Sequence, residues 1–303
     1  MSVSANLVKE LREKTGVGMM DCKKALAETN GNLEEAVDWL RKKGLSSAAK
    51  KASRVAAEGK VVAVSNAKMG LLLEVNSETD FAAKNEKFIA FAQTAAEVAL
   101  AQKIQDIETL SKHPFPATGR TVAEELTHQI ATIGENMNLR RLASLEVREG
   151  CVASYIHMLG KIGVLVGVES GGDIEKLSDL GRKLAMHVAA SAPPYLDRAA
   201  VSSEDLQRER SVLTEQARAS GKPDAIIGKM VEGRLSKFYS ENCLMEQQFI
   251  MDPDIKVGQL VEQTAKQMNT TIRIVGFKRF VLGDGLQKRE DDFACEVAKA
   301  AKV

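Results

Sequence analysis

At 303 residues the sequence has room for about two domains of ~150 residues each, and with only 4% aromatic residues its cores must be built mainly from Ala, Val, Leu and Ile. Lys plus Arg (42) nearly cancels Asp plus Glu (41), which argues against nucleic acid as the main partner, because phosphate-backbone binding rests on clustered positive charge. Nothing approaches the ~18 apolar residues of a membrane span, no signal or transit segment is visible at the start, and Cys22, Cys151, Cys243 and Cys295 form no C-x-x-C pair; free thiols in a reducing cytoplasm are expected.

In chain order, Leu7 and Leu11 sit one helical turn apart, and their helix should end at Thr15-Gly16-Val17-Gly18. Asp21 then opens a short helix with Cys22, Ala25 and Leu26, and Asn30-Gly31-Asn32 makes a turn. Leu33, Ala36, Val37 and Leu40 repeat as i, i+3, i+4, i+7, with Gly44 placed to cap that third helix. So small a unit buries little surface and suits docking better than catalysis. Of Met19-Met20, at least one is expected to face solvent, since two adjacent residues in a turn cannot easily both point inward; core and contact readings stay open. Residues 50–59, basic and rich in small side chains, read as a linker with helical character.

The main body carries a weak internal repeat. Residues 59–64 and 70–75 read as a β-hairpin followed by an Ala-rich helix through Phe88, Phe91 and Leu100. Residues 150–155 and 163–168 read as a second hairpin, followed by the Ala-rich helix around residues 184–190. Two related α+β subdomains follow from this pattern. Residues 124–142 read as helical between the copies. After Pro193-Pro194, two amphipathic helices around Gly221-Lys222-Pro223-Asp224 form a projecting αα-hairpin, a candidate for self-association. A helix at 260–268, two strands at 271–275 and 277–282, and a last helix with Phe293, Val297 and Ala300 on one face close the chain.

No familiar catalytic motif appears. Gly16-Val17-Gly18 resembles a dinucleotide-binding turn, but a helix precedes it where that motif requires a strand. His113, His128, His157 and His187 lack metal-ligand spacing, and no cofactor or metal is expected. His187 reads as a core or boundary histidine, whereas His157 follows a strand near a hairpin bend where it can be exposed. Attention falls instead on Asn76-Ser77-Glu78-Thr79-Asp80-Phe81, where an apolar strand gives way to a polar loop and a helix start. By spacing alone, Phe81 joins Phe88, Ala92, Ala95 and Ala99 as the first residue of a core stripe, and Asp80 is an ordinary first-turn acid.

Several segments, in order along nearly the whole chain, resemble the elongation factor Ts family. They are residues 7–16, Gly18-Met19-Met20-Asp21-Cys22-Lys23-Lys24-Ala25-Leu26, Glu74-Val75-Asn76 with Thr79-Asp80-Phe81, and Ile133-Gly134-Glu135-Asn136 with Arg140-Arg141. Ala185-Met186-His187-Val188-Ala189-Ala190, Met230-Val231-Glu232-Gly233-Arg234 and Val257-Gly258-Gln259-Leu260 complete the set. The resemblance implies an α+β fold with a ubiquitin-associated-like docking domain at 1–46, a linker at 47–58, and core subdomains at 59–142 and 143–282. The second subdomain includes the helical hairpin at about 202–241, and a helical module occupies 283–303.

The same resemblance implies a guanine-nucleotide exchange factor for elongation factor Tu, with no bond chemistry of its own. Thr79, Asp80, Phe81 and Ala82 would enter that partner near its nucleotide site and dislodge Mg²⁺, although family members commonly have valine where this chain has Ala82. Arg12, Met19, Met20 and Lys23 match partner-binding positions of the docking domain, and His157 matches a contact on the second subdomain. The Met158-Leu159-Gly160 that follows His157 departs from the commoner pattern. Two other classes would differ in their demands on the chain. A scaffold for some different partner would have no need of Asp80-Phe81, and an oxidoreductase would need a strand before Gly16.

Overall fold

A computed structural model of the chain describes residues 3–219 and 223–287. The N-terminal unit is α1 (Ala5–Thr15), α2 (Met19–Glu28) and α3 (Leu33–Lys51), packed around Leu11, Cys22, Ala25, Leu26 and Ala36. Ser4 caps α1, and Gly16 ends it at φ 68°, a left-handed value that favours glycine. Two boundaries differ from the sequence expectation. Helix α2 begins at Met19 rather than Asp21, with Gly18 as its N-cap. Helix α3 does not stop at Gly44 but continues to Lys51, and a Cβ on Gly44 would lie 3.4 Å from the Ala131 Cβ. That glycine therefore serves helix–helix contact rather than capping.

The body is built from two three-stranded antiparallel sheets. The first has the order β1 (Glu58–Ser65), β2 (Met69–Ser77), β3 (Met137–Glu146), with α4 (Asp80–Ala83), α5 (Glu86–Ala101), α6 (Ile107–Lys112) and α7 (Val122–Ile133) between β2 and β3. The second has the order β4 (Gly150–His157), β5 (Ile162–Glu169), β8 (Arg273–Val281). Between β5 and β8 run α8 (Ile174–Ser191), α9 (Ser203–Ala219), α10 (Asp224–Asn242), the short β6 (Gln248–Phe249) and β7 (Asp252–Lys256), and α11 (Val257–Gln267). In both sheets a hairpin is followed by helices and then by a third strand on the same central strand. Each central strand also carries one register irregularity, at Glu74/Val75 and at Gly167/Val168. The repeat read from sequence is thus a repeat of topology.

Strand alternation explains the layering. On β2, Leu71, Leu73 and Val75 pack with Phe88, Phe91, Ala92 and Ala95 of α5. Leu72, on the opposite face, packs with Val61, Val152, Leu165 and Leu282 between the sheets. On β5, Val164, Val166 and Val168 meet Leu177, Leu184 and Val188 of α8, while Leu165 turns to the other sheet. The order is helix, sheet, sheet, helix. Close approach of the sheets leaves no room for a Cβ at Gly163, which would lie 2.5 Å from Val61 Cγ1.

Two strand expectations need correction. Residues 124–142 are not one helix: Gly134, at φ 92°, ends α7, and β3 begins at Met137. The paired arginines Arg140-Arg141 mask the strand alternation there. In place of two strands at 271–282 there is the single β8, which passes through Gly276. The helical hairpin forms as expected, closing its own cluster of Leu213, Ala217, Ile227, Val231 and Leu235. The helix expected near Phe293, Val297 and Ala300 lies outside the described residues, as does most of the hairpin turn.

Glu74 on β2 is fully buried and points into the layer between the sheets. It accepts from Arg140 Nη1 at 2.9 Å, Arg141 Nε at 2.6 Å, Asn76 Nδ2 at 3.1 Å and the backbone N–H of Gly283 at 2.9 Å. Arg141 also donates to the carbonyl of Val281 at 3.0 Å and lies 4.3 Å from the Phe280 ring centroid. Burial by itself would raise the Glu74 pKa, but the Gly283 N–H and the two guanidinium groups outweigh it and hold the carboxyl below its ordinary value. Glu74→Gln is expected to cost ~3–5 kcal/mol in urea unfolding, the usual cost of breaking a buried ion pair. Because the folded-state pKa is depressed, the wild-type stabilisation is present above the unfolded value of ~4.3. It is lost as pH falls through the folded value, and the Gln variant should lack that acid-sensitive increment. Equal stability of the two proteins at neutral pH would show that Glu74 does not hold the sheets together.

Candidate partner-binding site

The loop that leaves β2 is held by side chains from elsewhere in the chain. Glu78 accepts from the backbone N–H of Asn136 at 2.6 Å and from Arg54 Nη1 at 3.3 Å. Thr79 is the N-cap of α4: its Oγ1 accepts from the Ala82 N–H at 3.2 Å. The same hydroxyl donates to Glu135 Oε1 at 2.7 Å, and the Thr79 backbone N–H donates to Glu135 Oε2 at 2.9 Å. Glu135 therefore splints the loop with both carboxylate oxygens, from just beyond the end of α7.

Helix α4 is a single turn. Asn85 caps a new helix by accepting from the Lys87 N–H at 2.9 Å, so α4 and α5 do not share one continuous face. Ala82 and Ala83 point inward, while Phe81 is 79% exposed and Phe88 fully buried. The spacing-based placement of Phe81 on the core stripe is thus overturned: the stripe starts at Phe88, and the break at Lys84-Asn85 turns Phe81 outward. Asp80 Oδ2 pairs with Lys84 Nζ at 2.6 Å, and that ammonium lies 5.8 Å from the Phe81 ring centroid. The hydrogen bond from Lys84 keeps the Asp80 carboxyl below its ordinary pKa.

Phe81 borders a groove of about 710 Å³ lined by residues of both sheets. Lys60 of β1 and Asp80 and Lys84 beside the loop line it, together with Met158, Leu159 and Lys161 from the β4–β5 turn. Lys161 forms an ion pair with Glu58 of β1. His157 stands exposed at the end of β4, with Tyr155 Oη 3.0 Å from its Nδ1. Arg12, Met19, Met20 and Lys23 are exposed on α1 and α2 and do not line the groove. Both methionines face solvent because they occupy the first turn of α2. The N-terminal unit lies against the body through an Arg41–Glu124 ion pair and through Lys87 Nζ, 3.5 Å from the Gly16 carbonyl.

Sequence reasoning missed Glu135, whose contact with Thr79 spans 56 residues. Its signal was the Gly134-Glu135-Asn136 break inside a presumed helix. The apolar pair Met158-Leu159 at a tight hairpin turn was the signal for the other rim. Elsewhere the described residues are chemically quiet. His187 is fully buried between Gln247 Oε1 at 2.8 Å and the Ile250 N–H at 3.2 Å. Cys22, Cys151 and Cys243 are buried free thiols, and burial pushes that of Cys243 up to about 11. No cluster of metal-ligating side chains and no helix long and apolar enough to cross a membrane occurs among the described residues.

These features define an α+β protein of two repeated units that displays a carboxylate and an aromatic ring on a splinted loop, an arrangement suited to contact with another macromolecule. The family model described as "Elongation factor TS" matches residues 78–284. The chain is 58% identical over 302 residues to elongation factor Ts of Magnetococcus marinus, covering 100% of both proteins. It is 56% identical to that of Rhodospirillum centenum with 99% of each covered, and 54% identical to that of Syntrophotalea carbinolica with 100% of each covered. The chain belongs to the elongation factor Ts family, and its role is in translation elongation.

Glu135→Ala should release the Thr79 loop. The expected cost is ~1–2 kcal/mol, the scale of a lost cap and charged hydrogen bonds. Amide exchange at residues 80–83 should accelerate by more than it does in the sheets. Uniform acceleration across the protein would mean that Glu135 supports the fold at large rather than this loop.

Proposed function

We propose that this chain binds elongation factor Tu in the cytoplasm and promotes release of its GDP, with Thr79, Asp80, Phe81 and Ala82 as the element that disturbs the partner's Mg²⁺. The observation that carries the proposal is the 79% exposure of Phe81 on a loop splinted by Glu135. A phenyl ring left in water by its own fold can be buried in another protein. Full burial of such a ring contributes ~1.5–3 kcal/mol, and each ~1.4 kcal/mol of differential binding is a tenfold change in an equilibrium.

Exchange needs no bond chemistry. The factor must bind nucleotide-free partner more tightly than GDP-bound partner, and linkage then loosens GDP by the same factor. Bound Mg²⁺ shields the diphosphate, so a carboxylate and a wedge brought near its coordination sphere weaken the nucleotide. Phe81 supplies the wedge. Asp80 is held ionised by a solvent-exposed lysine and can trade that partner for a donor at the interface. Thr79 and Ala82 keep the turn in shape, one as its cap and the other as an inward-facing small residue.

The N-terminal unit (1–46) serves docking through Arg12, Met19, Met20 and Lys23, and His157 contributes from the second subdomain. The segment 47–58 joins that unit to the subdomains 59–142 and 143–282. Self-association through the α9–α10 hairpin is a separate proposal, decided by sedimentation at increasing protein concentration.

The deciding experiment follows release of labelled GDP from elongation factor Tu. Phe81→Ala is expected to lower stimulated release by roughly ten- to a hundredfold, the range set by losing one buried ring, with unfolding in urea unchanged. Wild-type release rates from a folded Phe81→Ala protein would sink the assignment. Replacement of both Met19 and Met20 by Gln should weaken complex formation with little effect on the maximal release rate at saturation. Unchanged affinity would remove them from the interface.

A further inference from the structure

The β4–β5 turn places two apolar residues in a conformation that tight hairpins normally give to Gly, Asn or Asp. Met158 and Leu159 have φ of 49° and 56°, in the left-handed region that disfavours residues with a Cβ, and Gly160 follows at φ 103°. Both side chains are also idle within the protein, Met158 being 66% and Leu159 86% exposed. Glycine at either position would relieve the backbone and remove apolar surface from water. Strain and exposure together, at a site where neither helps folding, point to use by a partner.

The turn is rigid. The Lys161 N–H donates to the carbonyls of His157 and Met158 at 3.2 and 3.3 Å, and its own carbonyl accepts from the Leu282 N–H at 2.8 Å. Lys161 Nζ pairs with Glu58, and the Lys60 stem packs so closely that a Cβ on Gly160 would lie 3.1 Å from its Cγ. A fixed turn presents its side chains without an ordering cost on binding. Met158 and Leu159, from the second repeated unit, line the same groove as Phe81, from the first.

We propose that Met158 and Leu159 form a second apolar prong against elongation factor Tu, continuous with the surface that Phe81 engages, and that apolar residues are kept in this left-handed turn because it aims them there. The inference rests on the exchange-factor reading of the Phe81 loop. The occupant follows from continuity: whatever covers a wedge at Phe81 is brought against the rim formed by Met158 and Leu159. Lys84 and Lys161, already paired with Asp80 and Glu58, flank this rim. Lys60 also lines the groove and forms no ion pair among the described residues, so the rims set apolar side chains around one lysine.

The test compares three proteins in urea unfolding, in binding to nucleotide-free elongation factor Tu by calorimetry, and in release of labelled GDP. The double variant Met158→Gly, Leu159→Gly should unfold at higher urea and bind roughly ten- to a hundredfold more weakly, as expected for two side chains that no longer become buried. The variant Leu159→Asn keeps a residue that tolerates the left-handed region. It should bind more weakly at near-wild-type stability, which separates loss of the side chain from loss of loop rigidity. Wild-type affinity in both variants, with wild-type protein still accelerating GDP release, overturns this prong and leaves the exchange reading standing. Failure of the wild-type protein itself to accelerate release overturns the exchange reading and the prong together.

Discussion

The buried carboxylate of Glu74 is the constraint on which the rest of the arrangement depends. Its contacts draw together β2, the two arginines of β3 and the turn after β8, so one charge ties the first sheet to the end of the second. The network continues toward the surface. Asn76 donates both to Glu74 and to the Glu58 carbonyl, and Glu58 in turn pairs with Lys161 beneath the β4–β5 turn. Along the backbone, Thr79 lies only five residues beyond Glu74 on the same strand exit. Both rims of the groove are thus registered to one buried group.

Apolar contacts alone would hold the sheets together less selectively. Leu72, Val61, Val152 and Leu165 are nondirectional partners that tolerate sliding and rotation. Two repeated units with similar inner faces are especially open to alternative registers. A carboxylate that must satisfy two guanidinium groups and a backbone N–H admits few geometries, because each unmet contact leaves a buried charge uncompensated. In this account the ion cluster contributes more to the uniqueness of the sheet packing than to its net stability. A groove formed across two sheets keeps its shape only if that packing is unique.

What could be read from the sequence was whatever depended on local periodicity. Strands β1, β2, β4 and β5 announced themselves as apolar runs beside glycines, and the α9 and α10 stripes closed on each other as their spacing implied. Errors arose where a long-range contact overrode a local pattern. Arg140 and Arg141 interrupt strand alternation because both serve Glu74, so β3 read as a helix. Gly44 resembles a helix stop, yet it is the point where α3 touches α7. Phe81 fell on a helical stripe because periodicity carries no knowledge of a break, although Asn85 was a visible N-cap signal. The break at Gly134-Glu135-Asn136 was visible, but no local rule places the Glu135 carboxylate against a loop 56 residues away.

Glu74 and Asp80 show how position divides one chemistry into two uses. Both carboxyls are held below their ordinary pKa, that of Glu74, against the cost of burial, by the Gly283 N–H and two guanidinium groups, and that of Asp80 by Lys84. Glu74 cannot leave its partners without stranding charge in the interior, so it is committed to structure. Asp80 meets Lys84 in water, where the pairing is screened and readily exchanged for another donor. The same contrast separates Phe88, sealed against β2, from Phe81, held out on a capped single turn. Between the committed pair and the displayed pair stands Thr79, whose hydroxyl serves the cap and the Glu135 splint at once. A loop built in this way can surrender its outer contacts to a partner while its inner contacts keep the ring and the carboxylate aimed.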